Sequence, residues 1–330
     1  RRAADRARER FRVTRPCPGP RRRRRAAGPP RGVLALADLL NDYSIQYWLA
    51  SCPQGYLEDT AYGPEAGESE PELVMSDPLL REQAIRLTTQ LVLGERCALA
   101  ASSGLINSAP DEAHKRFLAT QTLDEARHVE VFTQRLYDLG VKKNELEDTL
   151  SAYGNPNLVR FAEVLLEKVD AKDFVAGVVG QNVILEGMAF SVFEMLHQAN
   201  QQLNPKFHHT LSGTIADERR HVGFGENAIG GLVRQHPERK EEIEKMQEEM
   251  SYYMLATFAD QFHAPDAKAA QDAARKARGD DGSAAPQWQG VNLSTADPEE
   301  LEAALASTIL GAFQQRLARI GIDYRTPRRP

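Results

Sequence analysis

Asp124-Glu125-Ala126-Arg127-His128 and Asp217-Glu218-Arg219-Arg220-His221 are two copies of one string, Asp-Glu-x-Arg-His. Residues three apart on an α-helix lie on one face, one above the other, so each copy presents a carboxylate beside an imidazole. A further glutamate precedes each copy by about thirty residues, Glu95 before the first and Glu186 before the second. Carboxylates and imidazoles without Cys suit first-row metals such as iron and manganese, and argue against structural zinc or an iron–sulfur cluster.

The intervals fit two helical hairpins. Asn107-Ser108-Ala109-Pro110 reads as a turn with Pro110 opening a new helix. Glu95 lies 12 residues before Asn107 and Glu125 lies 15 after Pro110. At a rise of ~1.5 Å per residue, both stand roughly 20 Å from the bend, level with each other. The second half repeats the plan around Gln202-Leu203-Asn204-Pro205, with Glu186 16 residues before Gln202 and Glu218 13 after Pro205. Two such hairpins make a four-helix bundle with Glu95, Glu125, His128, Glu186, Glu218 and His221 facing inward around two metal ions. A ligating His usually donates its other N–H to a carboxylate. Asp124 and Asp217 are candidates for that role, across hairpins included, and Arg127 and Arg220 for neutralising them.

A third Glu-x-x-His, Glu194-Met195-Leu196-His197, has Glu163 upstream of it but lacks the Asp and the Arg. It shares a helix with Glu186, two to three turns further on, and reads as a partly exposed polar pair. His208 and His209 fall near the bundle end. His114, His236 and His263 fall near helix ends and read as solvated.

The length of 330 residues and a hydrophobic content of 42% support a substantial core. No uninterrupted apolar run reaches the ~20 residues of a membrane span, so no membrane is expected. Cys17, Cys52 and Cys97 give no disulfide framework, which points to a reducing, cytoplasmic setting. Residues 1–31 hold 13 Arg against Asp5 and Glu9, a composition that predicts disorder. Nucleic acid is not an expected partner on that basis alone. Residues 32–263 form the predicted di-metal bundle. Within them, 33–51 read as a helix and 52–75 as a loop. Helices follow over 77–105, 110–139, 157–169, 172–198, 204–235 and 237–263. Gly223, Gly225, Gly230 and Gly231 mark a bulge or close packing in the last bundle helix. Residues 264–296 read as a linker, and 297–330 as a C-terminal helix and tail.

On Glu95, Glu125-x-x-His128, Glu186 and Glu218-x-x-His221, the chain resembles the ferritin-like di-iron carboxylate superfamily over roughly residues 77–236. Its large soluble members include the ribonucleotide reductase small subunit, bacterial multicomponent monooxygenase hydroxylases and arylamine N-oxygenases. The resemblance implies an all-α, ferritin-like four-helix bundle with a long crossover and extra flanking helices. It implies two iron ions, or a manganese–iron pair, bridged by Glu125 and Glu218. Glu95 and Glu186 would be terminal, mobile carboxylates, and His128 and His221 would take one metal each. Dioxygen would be the co-substrate.

Three positions depart from the members named. Phe132 stands where a radical-generating reductase subunit usually has Tyr, Phe190 where hydrocarbon hydroxylases carry Thr, and Thr214 where N-oxygenases add a third His. The reading that follows is a di-iron oxygenase or oxidase acting on a small, largely apolar organic molecule in a cavity lined by Ala98, Phe132, Phe190 and Phe193. A reductase or ferredoxin would donate electrons, and a homodimer is compatible. The alternatives are a ribonucleotide-reductase-like small subunit with a manganese–iron or iron–iron cofactor, and a ferritin-type iron storage or detoxification protein.

Overall fold

Helix starts in this chain are written by Asx residues followed by Pro. Asp77-Pro78, Asn155-Pro156, Asn204-Pro205 and Asp297-Pro298 each cap a helix through the Asx side chain, with Pro in the first turn. Asp111 and Asp173 cap two more without a following Pro. A cap oxygen takes a backbone N–H that the first turn leaves unpaired, and Pro has none to leave.

The computed structural model describes residues 67–201, 203–262, 268–269, 272–273, 287–288, 290–292 and 296–328. The expectations for 1–31, 33–51, most of 52–75, His263 and most of 264–296 lie outside them. The described helices are α1 (Glu72–Ser76), α2 (Pro78–Leu105), α3 (Glu112–Asp138), α4 (Leu146–Tyr153), α5 (Pro156–Asp170), α6 (Phe174–Asn200), α7 (Pro205–Gln235), α8 (Lys240–Phe262) and α9 (Pro298–Arg319). A two-residue pair, β1 (Gln287–Trp288) and β2 (Val291–Asn292), forms an antiparallel ladder. The fold is all-α, as the periodicity predicts.

α2 packs on α3 and α6 on α7, the two hairpins of the bundle. The crossover carries α5 and also α4, which the sequence reading missed. The first hairpin turn is a 3-10 segment, Ile106–Ser108, and α3 begins at Glu112, so Pro110 precedes the helix it was expected to open. Asp111 decides this, because its side chain accepts the N–H groups of Ala113 and His114. α8 packs on α5 and α6, and α9 on α6 and α8.

α6 is long and apolar enough to cross a membrane by length and average composition, although polar residues interrupt it, and 83% of its most apolar stretch is buried inside the bundle. A helix surrounded by others is apolar all round. α6 is also where the helix irregularity falls. Val179–Leu185 is a π-helical turn just before Glu186, whereas α7 runs unbroken through its glycines. Gly225 supplies close packing instead: a Cβ there would come within 2.5 Å of the Asn182 Cβ. The widened turn of α6 therefore presses against a gap in α7.

Beside the α6–α7 turn, Arg135 is buried and donates to Glu70 Oε1 at 3.0 Å and Thr88 Oγ1 at 2.8 Å. Its guanidinium carbon lies 3.5 Å from the Phe207 ring centre. Glu70 Oε2 also accepts from Asn204 Nδ2 at 2.7 Å. This network ties the segment before α1 to three bundle helices.

Candidate metal centre

Glu95 on α2, Glu125 and His128 on α3, Glu186 on α6, and Glu218 and His221 on α7 all reach the bundle interior, each 5% exposed or less. Their ligand atoms fall into two groups that share one carboxylate: Glu95, Glu125, His128 and Glu218 in one, and Glu125, Glu186 and His221 in the other. His128 Nδ1 lies 3.3 Å from Glu95, 3.4 Å from Glu125 and 3.5 Å from Glu218. His221 Nδ1 lies 3.3 Å from Glu125, 3.5 Å from Glu218 and 3.9 Å from Glu186. The two imidazole centres are 6.2 Å apart.

The Nε2 atoms point outward to carboxylates of the opposite hairpin. His128 Nε2 meets Asp217 Oδ2 at 3.1 Å, and His221 Nε2 meets Asp124 Oδ2 at 3.3 Å. With Nε2–H donated there, each Nδ1 lone pair faces the glutamates. Arg127 pairs with Asp217, and Arg220 bridges Asp124 and Asp217. The aspartates thus orient the imidazoles, and the arginines offset the aspartates.

Four buried carboxylates against two imidazoles leave an excess of negative charge, which burial strongly disfavours. The protonation pattern reflects that. Burial pushes the Glu95 carboxyl up to about 8, although His128 pulls the other way. Burial, then the Glu218 charge, raises Glu186 well above the ordinary carboxylate range. Burial opposes charge on His128, yet Glu95 and Glu125 outweigh it and raise the imidazole to about 10. Burial likewise opposes ionised Glu125, but His128 and His221 hold it below its ordinary value. Cys97 is a buried thiol pushed up to about 12 by burial and by Glu125 and Glu186, and it is inert packing.

Glu125 Oε2, Glu218 Oε2 and His221 Nδ1 are buried without a hydrogen-bond partner. Buried lone pairs that converge without donors fit a cation, and the donor set is one that first-row divalent metals accept. The residues therefore fit a di-metal centre.

The sequence reading missed three buried amides. Gln121, Gln181 and Asn182 are all fully buried around Glu186. Gln121 lies one turn before Glu125, a signal available in the sequence. Gln181 and Asn182 belong to the π turn, and no spacing rule for an α-helix brings both to bear on Glu186.

A cavity of about 100 Å³ adjoins Glu95, Glu186 and Glu218. Ala98, Leu185, Phe193 and Met254 line it, with half-buried Leu87 and Phe258 at its edge. Phe132 and Phe190, expected as lining residues, are not. Phe132 is buried against Phe193 at 6.3 Å between ring centres, in an apolar cluster with Val92, Leu136 and Phe207. Phe190 is buried elsewhere in the same cluster, with the guanidinium groups of Arg316 and Arg219 at 4.9 and 5.9 Å from its ring centre. Thr214 is buried and bonds back toward its own helix.

The remaining histidines stand apart. His197 bonds Ser212 at 2.9 Å and stacks on His208 at 3.7 Å, beside a separate polar cavity. Glu163 is exposed in a pair with Arg160. His209 meets Glu68, and His236 meets Glu238. His114 bonds the Asp111 cap with its ring edge against Phe174 and Phe224, so it is packed as well as capped.

No family model matches the sequence, and no curated protein matches it. Solved structures do match. Two variants of an R2-like ligand-binding oxidase with aerobically reconstituted Mn/Fe cofactor align with TM-scores of 0.63 and 0.62, each at 17% identity, over 82% of this chain and 94% and 93% of theirs. The shared feature is the fold, a ferritin-like helical bundle. A protein from Synechococcus with aldehyde deformylating oxidase activity also matches, with a TM-score of 0.53 and 15% identity, over 76% of this chain and 94% of its own. In this ferritin-like bundle, α2, α3, α6 and α7 supply the six candidate ligand residues, while α5, α8 and α9 pack around them.

Proposed function

We propose that the chain is a non-haem oxygenase or oxidase that uses two iron ions, or a manganese–iron pair, to activate dioxygen and oxidise a small, largely apolar organic molecule. The observation that carries this reading is the apolar cavity opening directly onto three of the metal-ligand carboxylates, Glu95, Glu186 and Glu218. A storage site needs no such apolar chamber, whereas an oxidase needs its substrate beside the metals in a dry space. The two kinds of solved neighbour are oxidases by their descriptions, which supports the same class.

Once bound, the metals would supply dioxygen reduction. The chain's residues do the rest. Asp217 and Asp124 hold His128 and His221 in orientation. Leu185, Phe193 and Met254 exclude water and orient an apolar substrate. Phe132 occupies the position where the resemblance would require Tyr for a stored radical, which weighs against the reductase-subunit alternative. A reductase or ferredoxin supplies electrons from outside, and the reaction belongs in a reducing, cytoplasmic setting.

The test is anaerobic loading with ferrous iron, metal counting, and stopped-flow mixing with oxygen. Two metals per chain and a transient visible absorption that decays faster with apolar substrates are expected. Steady accumulation of ferric mineral would favour storage. Unchanged metal content in a Glu125→Ala, Glu218→Ala variant would sink the site assignment.

A further inference from the structure

Glu95 and Glu186 hold equivalent places in the two hairpins, and the resemblance makes both mobile. Their surroundings differ. Glu186 Oε1 accepts from Gln121 Nε2 at 2.6 Å and from Gln181 Nε2 at 3.1 Å, and its Oε2 accepts from Asn182 Nδ2 at 2.9 Å. Among the described residues, Glu95 has one hydrogen-bond partner, His128 Nδ1 at 3.3 Å.

The three amides are themselves fixed. Asn182 Nδ2 also reaches Gln121 Oε1 at 3.1 Å and the His221 carbonyl at 3.3 Å. Gln181 Nε2 reaches the Ala98 carbonyl at 3.1 Å. Gln121 Nε2 reaches Glu125 Oε1 at 3.1 Å. The π turn brings Gln181 and Asn182 to bear on Glu186 together, and the missing side chain of Gly225 leaves Asn182 its room.

We infer that Gln121, Gln181 and Asn182 are positioning residues that lock Glu186, making the two metal positions unequal: the one held by Glu186 and His221 is rigid, and the one held by Glu95 and His128 carries the movable carboxylate. The inference rests on the di-metal reading above. An ionised carboxylate offers about four lone-pair sites. Three on Glu186 are engaged by amides, which leaves one for an ion and opposes rotation. Glu95 keeps most of its sites free and borders the cavity, so the position that changes ligation as substrate enters is the Glu95 one. Preorganised ligands bind more tightly because less ordering remains to be done on binding, and supporting hydrogen bonds are typically worth 10–100-fold in metal affinity.

The test is an anaerobic titration of the full chain with cobalt(II), read by visible absorption and metal counting. Two resolved steps are expected in the wild type. Gln121→Met, Asn182→Ala and Gly225→Ala are each expected to weaken one step by about 10–100-fold and alter its spectrum, leaving the other step in place. Glu95→Ala should remove that other step. Thermal unfolding checks folding, and the near-isosteric Gln121→Met and Gln181→Met carry the test if Asn182→Ala does not fold. Two ions taken up in one unresolved step, or amide variants that leave both steps unchanged or weaken both equally, overturn the inference. A wild type that binds no cobalt defeats the di-metal reading itself, so the two failures are distinguishable.

Discussion

Asp217 Oδ2, on α7, lies 3.1 Å from His128 Nε2 on α3, which joins the second copy of the repeated string to the imidazole of the first. Asp124 makes the reciprocal contact with His221 at 3.3 Å. The contacts are unequal in exposure: the Asp217 side chain is 8% exposed and that of Asp124 is 20%. Asp217→Ala is expected to lower metal affinity by roughly 10–100-fold, with Asp124→Ala giving the smaller loss because water can replace its carboxylate. Metal titration of both variants checks the order. Equal or absent losses would remove the orienting role.

Glu95 and His128 give the metal-free protein a definite pH response. Both are raised when folded, Glu95 from 4.5 to about 8 and His128 from 6.5 to about 10. A raised group stabilises the fold below its unfolded value and loses that contribution as pH climbs through the folded one. The metal-free protein should therefore lose thermal stability from pH 4.5 to about 8 on Glu95 and from pH 6.5 to about 10 on His128. Metal needs both deprotonated, so the rise in Tm on adding metal should grow over the same intervals. Calorimetry with and without metal reads this directly, and a pH-independent difference would contradict it.

Glu70 and Arg135 form a buried pair at 3.0 Å. Removing one member of such a pair leaves an uncompensated charge, at a cost of about 3–5 kcal/mol. Glu70→Ala should lower unfolding stability by that order without changing metal stoichiometry. A loss below about 1 kcal/mol in denaturant titration would mean that Arg135 finds water instead.

Gly94 lines the cavity from α2, and an added Cβ there meets nothing within 4 Å. Gly94→Ala should stabilise the helix by up to ~1 kcal/mol, since Gly is the poorer helix former. Medium-chain alcohols and acids should raise the Tm of the wild type, and Gly94→Phe should fill the space beside Glu95, keep both metals and abolish that rise. Shifts that persist in Gly94→Phe would place their binding elsewhere.

Much of this architecture is written locally. The Asx-Pro pairs at positions 77, 155, 204 and 297 announce four helix starts, because capping involves only neighbouring residues. The three-residue spacing in each Asp-Glu-x-Arg-His fixes a shared helix face, and distances to the turns level the two glutamates of each hairpin. The π turn of α6 was not legible. The glycines of α7 drew attention to the wrong helix, since Gly225 is the partner that accommodates the irregularity rather than its site. Phe132 and Phe190 stand one turn from ligands, yet which way a side chain leaves the helix depends on neighbours far away in sequence.

By itself, then, the sequence determined an all-α bundle and the six carboxylate and imidazole residues that meet inside it, through periodicity, caps and a repeat. Only the tertiary structure decided what surrounds them: which Asp serves which His, which carboxylate the amides hold, and which residues line the cavity. Gln121 and Glu186 are separated by 65 residues and meet at 2.6 Å. Helical spacing governs contacts within a turn or two, whereas contacts between helices follow from how whole elements pack.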